Sequence, residues 1–472
     1  MMYAQPTGAT RQLSIKEQLR LFAFDDGPRE PHLLTLIRQE IGKREALATL
    51  LHGELNFHGE DSGYASHDLH AFAAKFPPQL PRAFIRGLTD PGQVVLDPMM
   101  GSGTTVVESL LEGRHGLGMD IDPLALRLGR VKTMEVDVEH LHNEGCRVLS
   151  RARALLSDGR TVDQNLSKRF DERTRAFVDY WFLPSTQREL MALVLAIEDV
   201  GDAAARAFLE LTLSAIIVTK SGGVSRARDL AHSRPHLVES KVPRNAIEQF
   251  STRLRKNLAS ISRIKTNGTM AASLAGDATR MPFADRTIDL IVTSPPYANA
   301  IDYMRAHKFS LVWLGESIGD LSELRSRYLG SERVGRARYA TLPLTVETVV
   351  HQLGERDRAR AAILRKYFVE MKDVLAEMYR VLRDDSAAVV VVGTSVMRGI
   401  DVRTHECLAD TAAEVGFDVV GVVRRVLDRN KRMMPARFAK SADSTIEQRM
   451  HDEYVIGLLK PGTEQGELRA NT

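Results

Sequence analysis

The segment VVLDPMMGSGTTVVESL, residues 94–110, decides the fold. A buried strand is predicted at Gln93–Asp97, followed by a glycine-containing turn at Pro98–Gly103 and a helix that begins at Thr104. The next strand is predicted at His115–Asp120. A strand–turn–helix–strand unit of this kind predicts an α/β fold, with a parallel sheet and helices on its faces.

The glycine turn has features of a ligand site. Gly101 and Gly103 allow the backbone to approach a ligand closely, and the helix start offers free amides. In such folds an acid about 20 residues further on, at the end of the next strand, binds ribose hydroxyls. Asp120 in the GMDID segment has this place, with Asp122 as second choice. Neither a P-loop lysine nor a full G-x-G-x-x-G pattern is present, so a ligand with a ribose but no phosphates fits better. A turn needed only for packing is the alternative.

A second segment, DLIVTSPPYANAIDY at 289–303, predicts a base pocket. A strand at Asp289–Thr293 runs into the sequence Ser294, Pro295, Pro296 and Tyr297. The prolines fix φ and remove backbone donors, which leaves carbonyls free at the ligand-binding edge of the sheet. A planar ring with an exocyclic amine would fit, because the amine can donate to Ser294 and to a proline-flanked carbonyl while Tyr297 stacks on the ring. The alternative is a proline-rich turn without a ligand.

The rest of the chain alternates between core segments and insertions. Further core elements are predicted as a helix near Tyr367–Leu382, a strand at Ala387–Val392, a helix at 404–415 and a hairpin of 417–427 with 454–460. The predicted organisation is an N-terminal helical segment (1–66), a first core part (67–136), a helical insertion and candidate target-recognition region (137–267), a core part with TSPPY (268–297), a second insertion (298–365), a C-terminal core part (366–460) and a tail (461–472).

The two motifs together resemble those of the DNA amino-methyltransferase family, which methylates N4 of cytosine or N6 of adenine with S-adenosylmethionine. DPMMGSGTT is similar to the cofactor loop and TSPPY to the catalytic motif. Three further stretches resemble family motifs: AKFPPQLPRAFI (74–85), GMDID (118–122) and the acid Asp277 before TSPPY. The resemblance implies a class I methyltransferase fold, which is Rossmann-like with a mostly parallel seven-stranded sheet, here with helical insertions.

The resemblance also implies roles for individual residues. Asp120 would hold the ribose, Ile121 would pack on the adenine, and Asp277 would accept from the adenine amine. The whole predicted cofactor set is Lys75, Phe76, Asp97, Gly101, Gly103, Thr104, Asp120, Ile121 and Asp277, and the catalytic set is Ser294, Pro295, Pro296 and Tyr297. One departure is that the large insertion lies between the ribose acid and Asp277, so the place of the target-recognition region stays open.

The cysteines argue against methylation of a ring carbon. Methyl transfer to cytosine C5 needs a cysteine nucleophile, and neither Cys146 nor Cys407 lies in a Pro-Cys motif. Serine at the first motif position is the commoner form in N4-cytosine members, so N4-cytosine is favoured and N6-adenine remains the alternative. An RNA guanine-amine methyltransferase, a protein-glutamine methyltransferase and a catalytically silent DNA-binding subunit are the other readings.

Clustered positive charge predicts double-stranded DNA as the partner. The chain of 472 residues has 64 Lys and Arg against 61 Asp and Glu, a net charge of only +3. Residues 220–265, however, contain 11 basic and 3 acidic residues, and 424–440 contain 7 and 1. Such clusters are typical of phosphate binding, although solvated helix faces are the alternative. The DNA contacts are predicted at Arg226, Arg228, Arg234, Lys431 and Arg432.

Several classes of protein and site are excluded. No apolar run approaches the roughly 18 residues of a membrane span, and the absence of an apolar core in the first residues argues against a signal peptide and favours the cytoplasm. Two cysteines cannot form a disulfide framework or a cysteine-based zinc site. His67 and His70 have no accompanying ligand set, so no metal is expected. In a restriction–modification context, a separately encoded restriction endonuclease would be a further partner.

Overall fold

A central sheet with helices on both faces organises the chain. The computed structural model describes residues 13–24, 31–72, 75–219, 223–228, 230, 235–261, 268–298, 302–331, 340–393, 395–427 and 452–462. The strands there are β1 Val94–Asp97, β2 His115–Asp120, β3 Ala227–Arg228, β4 His236–Leu237, β5 Ala271–Ala275, β6 Ile288–Thr293, β7 Leu382–Gly393, β8 Val396–Met397, β9 Ile400–Asp401, β10 Asp418–Val426 and β11 Asp452–Lys460.

The helices of the same part of the chain fall into three groups. Those from the N-terminal part through the helix that directly follows β2 are α1 Ile15–Phe24, α2 Pro31–Leu51, α3 Gln79–Leu88, α4 Thr104–Leu111 and α5 Pro123–Thr133. Those between α5 and β5 are α6 Val138–Asp158, α7 Arg160–Arg169, α8 Glu172–Trp181, α9 Pro184–Glu198, α10 Ala203–Ile217 and α11 Ala246–Ile261. Those after β6 are α12 Met304–Leu311, α13 Ile318–Ser326, α14 Leu344–Arg356, α15 Arg358–Val381 and α16 Thr404–Val415.

The main sheet has seven strands in the order β10-β11-β7-β6-β1-β2-β5. The strands β7, β6, β1, β2 and β5 are parallel neighbours, whereas β11 is antiparallel to both β7 and β10. A mostly parallel sheet with one reversed strand near its edge is the class I methyltransferase arrangement. The predicted fold class is therefore confirmed.

The strand order places a ligand cleft beside β1. The chain proceeds from β1 through β2 to β5 on one side, and then from β6 to β7 on the other. Open α/β sheets bind ligands at such a switch point, outside the carboxyl ends of the strands. The strands β1, β2 and β6 end at Asp97, Asp120 and Thr293. These three ends meet at the same edge, where both sequence motifs begin.

Burial on both faces of the sheet explains the continuous apolar strands. In β1, Val95 packs in a cluster with the N-terminal helices, and its neighbour Leu96 packs on the opposite face with α15 and α16. Successive side chains of a strand point to opposite faces, so a strand covered on both sides is apolar at every position. This is the pattern that the sequence shows at 94–96 of β1, 290–292 of β6 and 387–392 of β7.

The structure differs from the sequence-based expectations in three places. The edge strand β5 was not predicted, because AASLA is short and rich in alanine, with low strand propensity. Helices α12, α13 and α14 lie within the stretch 298–365, which was predicted only as a second insertion without defined elements. Helix α15 begins at Arg358, before the predicted start at Tyr367.

The helices between β2 and β5 pack around an apolar cluster of their own, which also includes residues of α12 and α13. Phe208 and Phe250 are fully buried there, as is Trp313, which follows α12. The helices after TSPPY are thus joined to the helices that precede β5. In the part of the chain that the structure describes, no helix is both long and apolar enough to cross a membrane.

Candidate active site

A cleft at the switch point brings most of the predicted site residues together. The cleft is partly open to solvent, and with that open space it takes in about 910 Å³. Its walls also contain residues that sequence reasoning missed, among them Phe72, Met100, Tyr303 and Tyr328. The predicted residues in its walls are Lys75, Phe76, Asp97, Gly101, Thr104, Asp120, Ile121, Asp277, Ser294 and Pro296.

The two glycines of the turn have different surroundings. Both adopt positive φ, +47° at Gly101 and +74° at Gly103. Gly101 lies in the cleft wall, where an added Cβ would be 3.1 Å from the ring of Phe72. Gly103 is not in the wall; a Cβ there would lie 3.3 Å from the Cα of Gly129 in α5. The structure thus relates Gly103 to the packing of α4 against α5, and not to the cleft where it was predicted.

The loop is held from both sides by buried polar groups. The Gly101 amide donates a 2.8 Å hydrogen bond to Oδ2 of Asp120. From α5, the fully buried Lys132 donates through Nζ to the Ser102 carbonyl over 2.7 Å. Burial, with a smaller contribution from nearby Lys75, lowers the pKa of Lys132 well below its usual value. The glycine loop is therefore fixed before any ligand enters.

Asp120 accepts one hydrogen bond on each carboxylate oxygen. Oδ2 accepts from Gly101, and Oδ1 accepts from the Asp122 amide at 2.9 Å. Each carboxylate oxygen offers two lone-pair sites, so both can accept a further hydrogen bond from a ligand hydroxyl. Burial and the neighbouring Asp122 raise the pKa of Asp120 to about 7.

Asp122 is already engaged by the protein. Its Oδ1 caps α5 by accepting from the Leu124 amide at 2.8 Å, and its Oδ2 lies 2.6 Å from Nδ1 of His307. Burial raises its pKa, but the contacts with His307 outweigh this effect, and the pKa of Asp122 is lowered. The geometry therefore favours Asp120 over Asp122 as the acid for a ribose.

Asp97 joins the two motifs. Its Oδ1 accepts a 2.7 Å hydrogen bond from the Thr293 hydroxyl and a 3.2 Å bond from the Met99 amide. Burial raises the pKa of Asp97 to about 6, while the bond from Thr293 opposes this shift. The end of β1 is thereby tied to the residue that immediately precedes Ser294.

The remaining predicted cofactor residues have mixed surroundings. Asp277 lies in the cleft wall, but its Oδ1 accepts from the amide and hydroxyl of Thr279, at 2.9 and 2.8 Å. It therefore stabilises its own turn as well as facing the cleft. Lys75 donates through Nζ to the His67 carbonyl at 2.8 Å, and Phe76 is buried.

The histidines that raised the question of a metal have separate partners. Nε2 of His67 lies 2.6 Å from Glu108, and Nε2 of His70 lies 2.9 Å from Oγ of Ser214. Among the described residues, no group of three or more histidine, cysteine or acidic side chains is placed to hold a metal ion.

The four residues of the TSPPY motif do not all face the cleft. Ser294 and Pro296 lie in its wall, whereas Pro295 and Tyr297 do not. The Tyr297 ring packs against Gly393, where an added Cβ would be 2.5 Å from Cε2 of the ring. Its hydroxyl donates a 2.9 Å hydrogen bond to Oε1 of Glu453. Burial and then Glu453 raise the pKa of Tyr297 well above its ordinary value, so the phenol stays protonated.

Glu453 is a site residue that sequence reasoning missed. It is the second residue of β11 and is separated from Tyr297 by 156 positions along the chain. Its other oxygen lies 3.2 Å from Nη1 of the buried Arg425 in β10. No sequence signal pointed to this acid, because the contact depends on the antiparallel placement of β11 beside β7.

An aromatic wall lies opposite the glycine loop. Phe72 stacks on Tyr303 with ring centroids 5.4 Å apart and an interplanar angle of 24°. Burial raises the pKa of Tyr303 above its ordinary value, and Asp120 and Asp122 raise it further. Tyr303 was quoted in the second motif but given no role; only its position at the start of α12 brings it into the cleft.

Of the predicted DNA contacts, Arg226 and Arg228 are described by the structure, and neither lines the cleft. The Arg226 amide donates to the Trp181 carbonyl at 2.8 Å, and Arg228 is exposed on β3. Arg234, Lys431 and Arg432 lie outside the described residues. In the second basic segment, Arg424 pairs with Asp452 at 2.9 Å and Arg425 pairs with Glu453. The charge counted for 424–440 is therefore partly compensated by β11, which the sequence-based count did not include.

The chain is similar to known DNA methyltransferases. A family model described as DNA methylase matches residues 51–130, which include the glycine loop and Asp120. Type II methyltransferase M.MvaI of Kocuria varians is 23% identical over 383 residues, 75% of this chain and 83% of that protein. Type II methyltransferase M.AvaI of Anabaena variabilis is 29% identical over 150 residues, 28% of this chain and 31% of that protein.

A solved structure is also similar. It is a TehB-like SAM-dependent methyltransferase from Corynebacterium glutamicum, with 10% identity, a TM-score of 0.26, and coverage of 80% of this chain and 85% of that one. The family match and the relatives' sequences confirm the predicted resemblance to the DNA amino-methyltransferases. Since the family match spans the cofactor loop, the prediction of S-adenosylmethionine as cofactor is confirmed with it.

Proposed function

Because this chain is a DNA methyltransferase of the family that methylates N4 of cytosine or N6 of adenine, we propose that its product is N4-methylcytosine in duplex DNA. One observation carries the proposal: the end of the cofactor segment, Asp120, and the start of the catalytic segment, Ser294, open into the same cleft. A methyl donor bound on one side and an amine bound on the other would therefore face each other.

The cleft has the acceptors that S-adenosylmethionine requires. Its walls combine the glycine loop with the acids Asp120 and Asp277. Asp120 keeps lone pairs for two ribose hydroxyls, and the positive φ and missing side chain of Gly101 leave room beside Phe72. When bound, S-adenosylmethionine supplies an electrophilic methyl group on a sulfonium.

The catalytic segment has acceptors for an exocyclic amine. The amine lone pair of a base is delocalised into the ring, which makes the amine a weak nucleophile. In our proposal, the Ser294 hydroxyl and the Pro295 carbonyl accept hydrogen bonds from the two amine hydrogens. These hydrogen bonds localise the lone pair toward the methyl group. Holding donor and acceptor in line contributes much of the remaining acceleration.

Tyr297 would form the side of the base pocket. Glu453 and Gly393 fix the ring from two directions, so it is a rigid surface on which a base can stack. The base of a duplex cannot reach the cleft without leaving the helix, and base flipping is the general solution for enzymes that modify bases. Ser294, Tyr297 and the cleft would together receive the flipped cytosine.

Serine at the first motif position supports cytosine over adenine, since it is the commoner form in N4-cytosine members of the family. The relatives named Type II methyltransferases support a restriction–modification context. In that context a separately encoded endonuclease would cut the same site when it is unmethylated. The enzyme itself would act on double-stranded DNA.

The test is methyl transfer from tritiated S-adenosylmethionine to unmodified plasmid DNA, followed by digestion to nucleosides and mass spectrometry. We expect label in N4-methylcytosine. Label in N6-methyladenine would overturn the cytosine assignment but leave the amino-methyltransferase chemistry standing. Label in added RNA or protein, with none in DNA, would overturn DNA as the substrate.

A matched pair of variants connects the product with the cleft. Asp120→Asn should lose cofactor affinity, whereas Tyr297→Ala should bind the cofactor and transfer methyl slowly. If both variants lose cofactor binding equally, the division of the cleft into a cofactor side and a base side is wrong.

A further inference from the structure

Four cationic side chains lie on α8, α12 and α13, and two of them share one acid, Asp302, next to the cleft. Arg305 lies 2.9 Å from Asp302, and Arg325 from α13 pairs with the same carboxylate. Lys308, one turn along α12 from Arg305, has no carboxylate partner among the residues that the structure describes. We call this set the α12 cationic cluster: Arg173 of α8, Arg305 and Lys308 of α12, and Arg325 of α13.

The members of the cluster are close enough to affect each other. Burial lowers the pKa of Lys308, and Arg325, Arg305 and Arg173 lower it further, while Asp302 opposes them. The amine of Lys308 lies over the Phe177 ring, 5.1 Å from its centroid. Like charges repel, so these cations disfavour one another in the isolated protein. An anion bound among these side chains would relieve the repulsion.

The cluster begins at the wall of the cleft. Tyr303, which lines the cleft, immediately precedes α12, so Lys308 is about 7.5 Å further along that helix at about 1.5 Å per residue. Arg327, at the end of α13, also lines the cleft. Along one strand of DNA, successive phosphates are about 3.4 Å apart on the helix axis. A duplex whose base is flipped into the cleft would therefore place neighbouring phosphates over this surface.

We propose that the α12 cationic cluster binds the phosphates of duplex DNA that flank the flipped base. This inference rests on the proposed function and locates its DNA contact next to the base pocket, in the stretch 298–365 and on α8. The Trp181 ring packs against Phe309 of α12 with ring centroids 4.9 Å apart, and its neighbour Tyr180 is exposed. The Trp181 carbonyl in turn binds the Arg226 amide.

The experiment measures the salt dependence of DNA binding. A fluorescein-labelled duplex of mixed sequence and about 30 base pairs is titrated with the full-length protein between about 50 and 200 mM salt. Each phosphate contact contributes about 0.9 to the slope of log affinity against log salt concentration. For the double variant Arg305→Gln and Lys308→Gln, we expect the slope to fall by about 1.8.

Two further variants separate charge from structure and from distance. Arg305→Lys with Lys308→Arg keeps both charges and should keep the wild-type slope. Arg286→Gln with Arg383→Gln removes two exposed arginines, each paired with an acid. Arg286 precedes β6 and Arg383 lies at the start of β7, so both are at the sheet edge opposite the cleft. At about 3.3 Å per residue, the length of β6 places that edge about 20 Å from the cleft. This control should keep the slope.

The outcomes distinguish the inference from the proposed function. The cluster would be overturned as the phosphate surface by two results together: the wild-type protein transfers methyl to DNA, and the double variant Arg305→Gln and Lys308→Gln has the wild-type slope. An equal loss of slope in the Arg286→Gln and Arg383→Gln control would also overturn it. If the double variant Arg226→Gln and Arg228→Gln alone lowers the slope, the phosphates bind at β3 instead. Absence of any methyl transfer to DNA by the wild-type protein would instead overturn the proposed function.

Discussion

The Thr293 hydroxyl donates a 2.7 Å hydrogen bond to the Asp97 carboxylate, across the point where the strand order of the sheet reverses. This bond joins the last residue of β1 to the last residue of β6. Glycine loop and TSPPY segment follow these two residues directly. Any shift of one segment relative to the other must break or stretch this contact.

Thr293→Val should destabilise the protein most at neutral and higher pH. Valine keeps the shape but leaves the buried Asp97 carboxylate with one acceptor site unfilled, at a cost of about 1.5–3 kcal/mol. The pKa of Asp97 is about 6 in the folded protein, above its ordinary value, and should rise further in the variant. The carboxyl is protonated at low pH, so the difference in unfolding free energy should grow between pH 5 and pH 8. Urea unfolding across this range measures it; a difference that does not vary with pH would contradict the assignment.

Asp120→Asn should remove the pH dependence of cofactor binding. In the ligand-free protein the pKa of Asp120 is about 7, above the ordinary value of a carboxyl. Ribose hydroxyls donate to the ionised form, so wild-type affinity should rise as the pH increases through 7. Because that form is favoured by the ligand, binding below pH 7 should release a proton. Calorimetry in buffers of different ionisation enthalpy detects the release, and the Asn variant should show weaker and pH-independent binding.

Gly103→Ala should lower stability more than it lowers cofactor affinity. The residue has φ +74° and faces the backbone of Gly129, so an alanine meets both an unfavourable left-handed conformation, about 1–2 kcal/mol, and a contact with α5. Gly101→Ala is the matched variant, with φ +47° but with a position in the cleft wall. We expect thermal denaturation to reveal the first variant and cofactor titration to reveal the second. Equal loss of affinity in both would restore Gly103 to the cofactor site.

Tyr297→Ala should reduce methyl transfer to duplex DNA about 5- to 150-fold, which corresponds to the 1–3 kcal/mol of stacking a base on an aromatic ring. Cofactor affinity should remain, since the ring is not part of the cleft wall. A mismatched target base is easier to flip, so mismatched duplex should recover part of the rate. Ser294→Ala should be milder, because the Pro295 carbonyl still accepts from the amine.

Glu453 offers a control for the same ring. Glu453→Gln keeps an acceptor for the Tyr297 hydroxyl and should retain most of the rate, whereas Glu453→Ala leaves the ring less restrained. Both should bind cofactor like the wild type. Normal turnover on duplex DNA by Tyr297→Ala would show that the ring does not hold the target base.

The sequence predicted those elements whose signal is local. Strands β1, β6 and β7 were recognisable because both of their faces are buried, and each is an apolar run that ends in a turn. The glycine loop and TSPPY predicted the site because each motif consists of consecutive residues whose backbone chemistry can be recognised in the sequence. Strand β5 was not predicted, because its place beside β2 depends on pairing with Gly116–Asp120 and not on its own composition.

Contacts between distant segments could not be anticipated in the same way. Phe72 and Tyr303 meet only after α12 has packed against the helices that precede β5. Arg424 and Arg425 looked like free charges until β11 brought Asp452 and Glu453 alongside them. The different surroundings of Gly101 and Gly103 could not be predicted either. Gly103 packs against Gly129 of α5, and this contact depends on the folded structure.

The acidity of the cleft has a consequence for turnover. Its walls contain the four carboxyls of Asp97, Asp120, Asp122 and Asp277, against the two cations Lys75 and Arg327. With S-adenosylmethionine bound as proposed, methyl transfer converts a positive sulfonium into a neutral thioether. Attraction between opposite charges is stronger in a partly buried site than in water, so the same walls should hold the spent cofactor less firmly than the fresh one. The acids would thus favour replacement of the spent cofactor by a fresh one after each reaction.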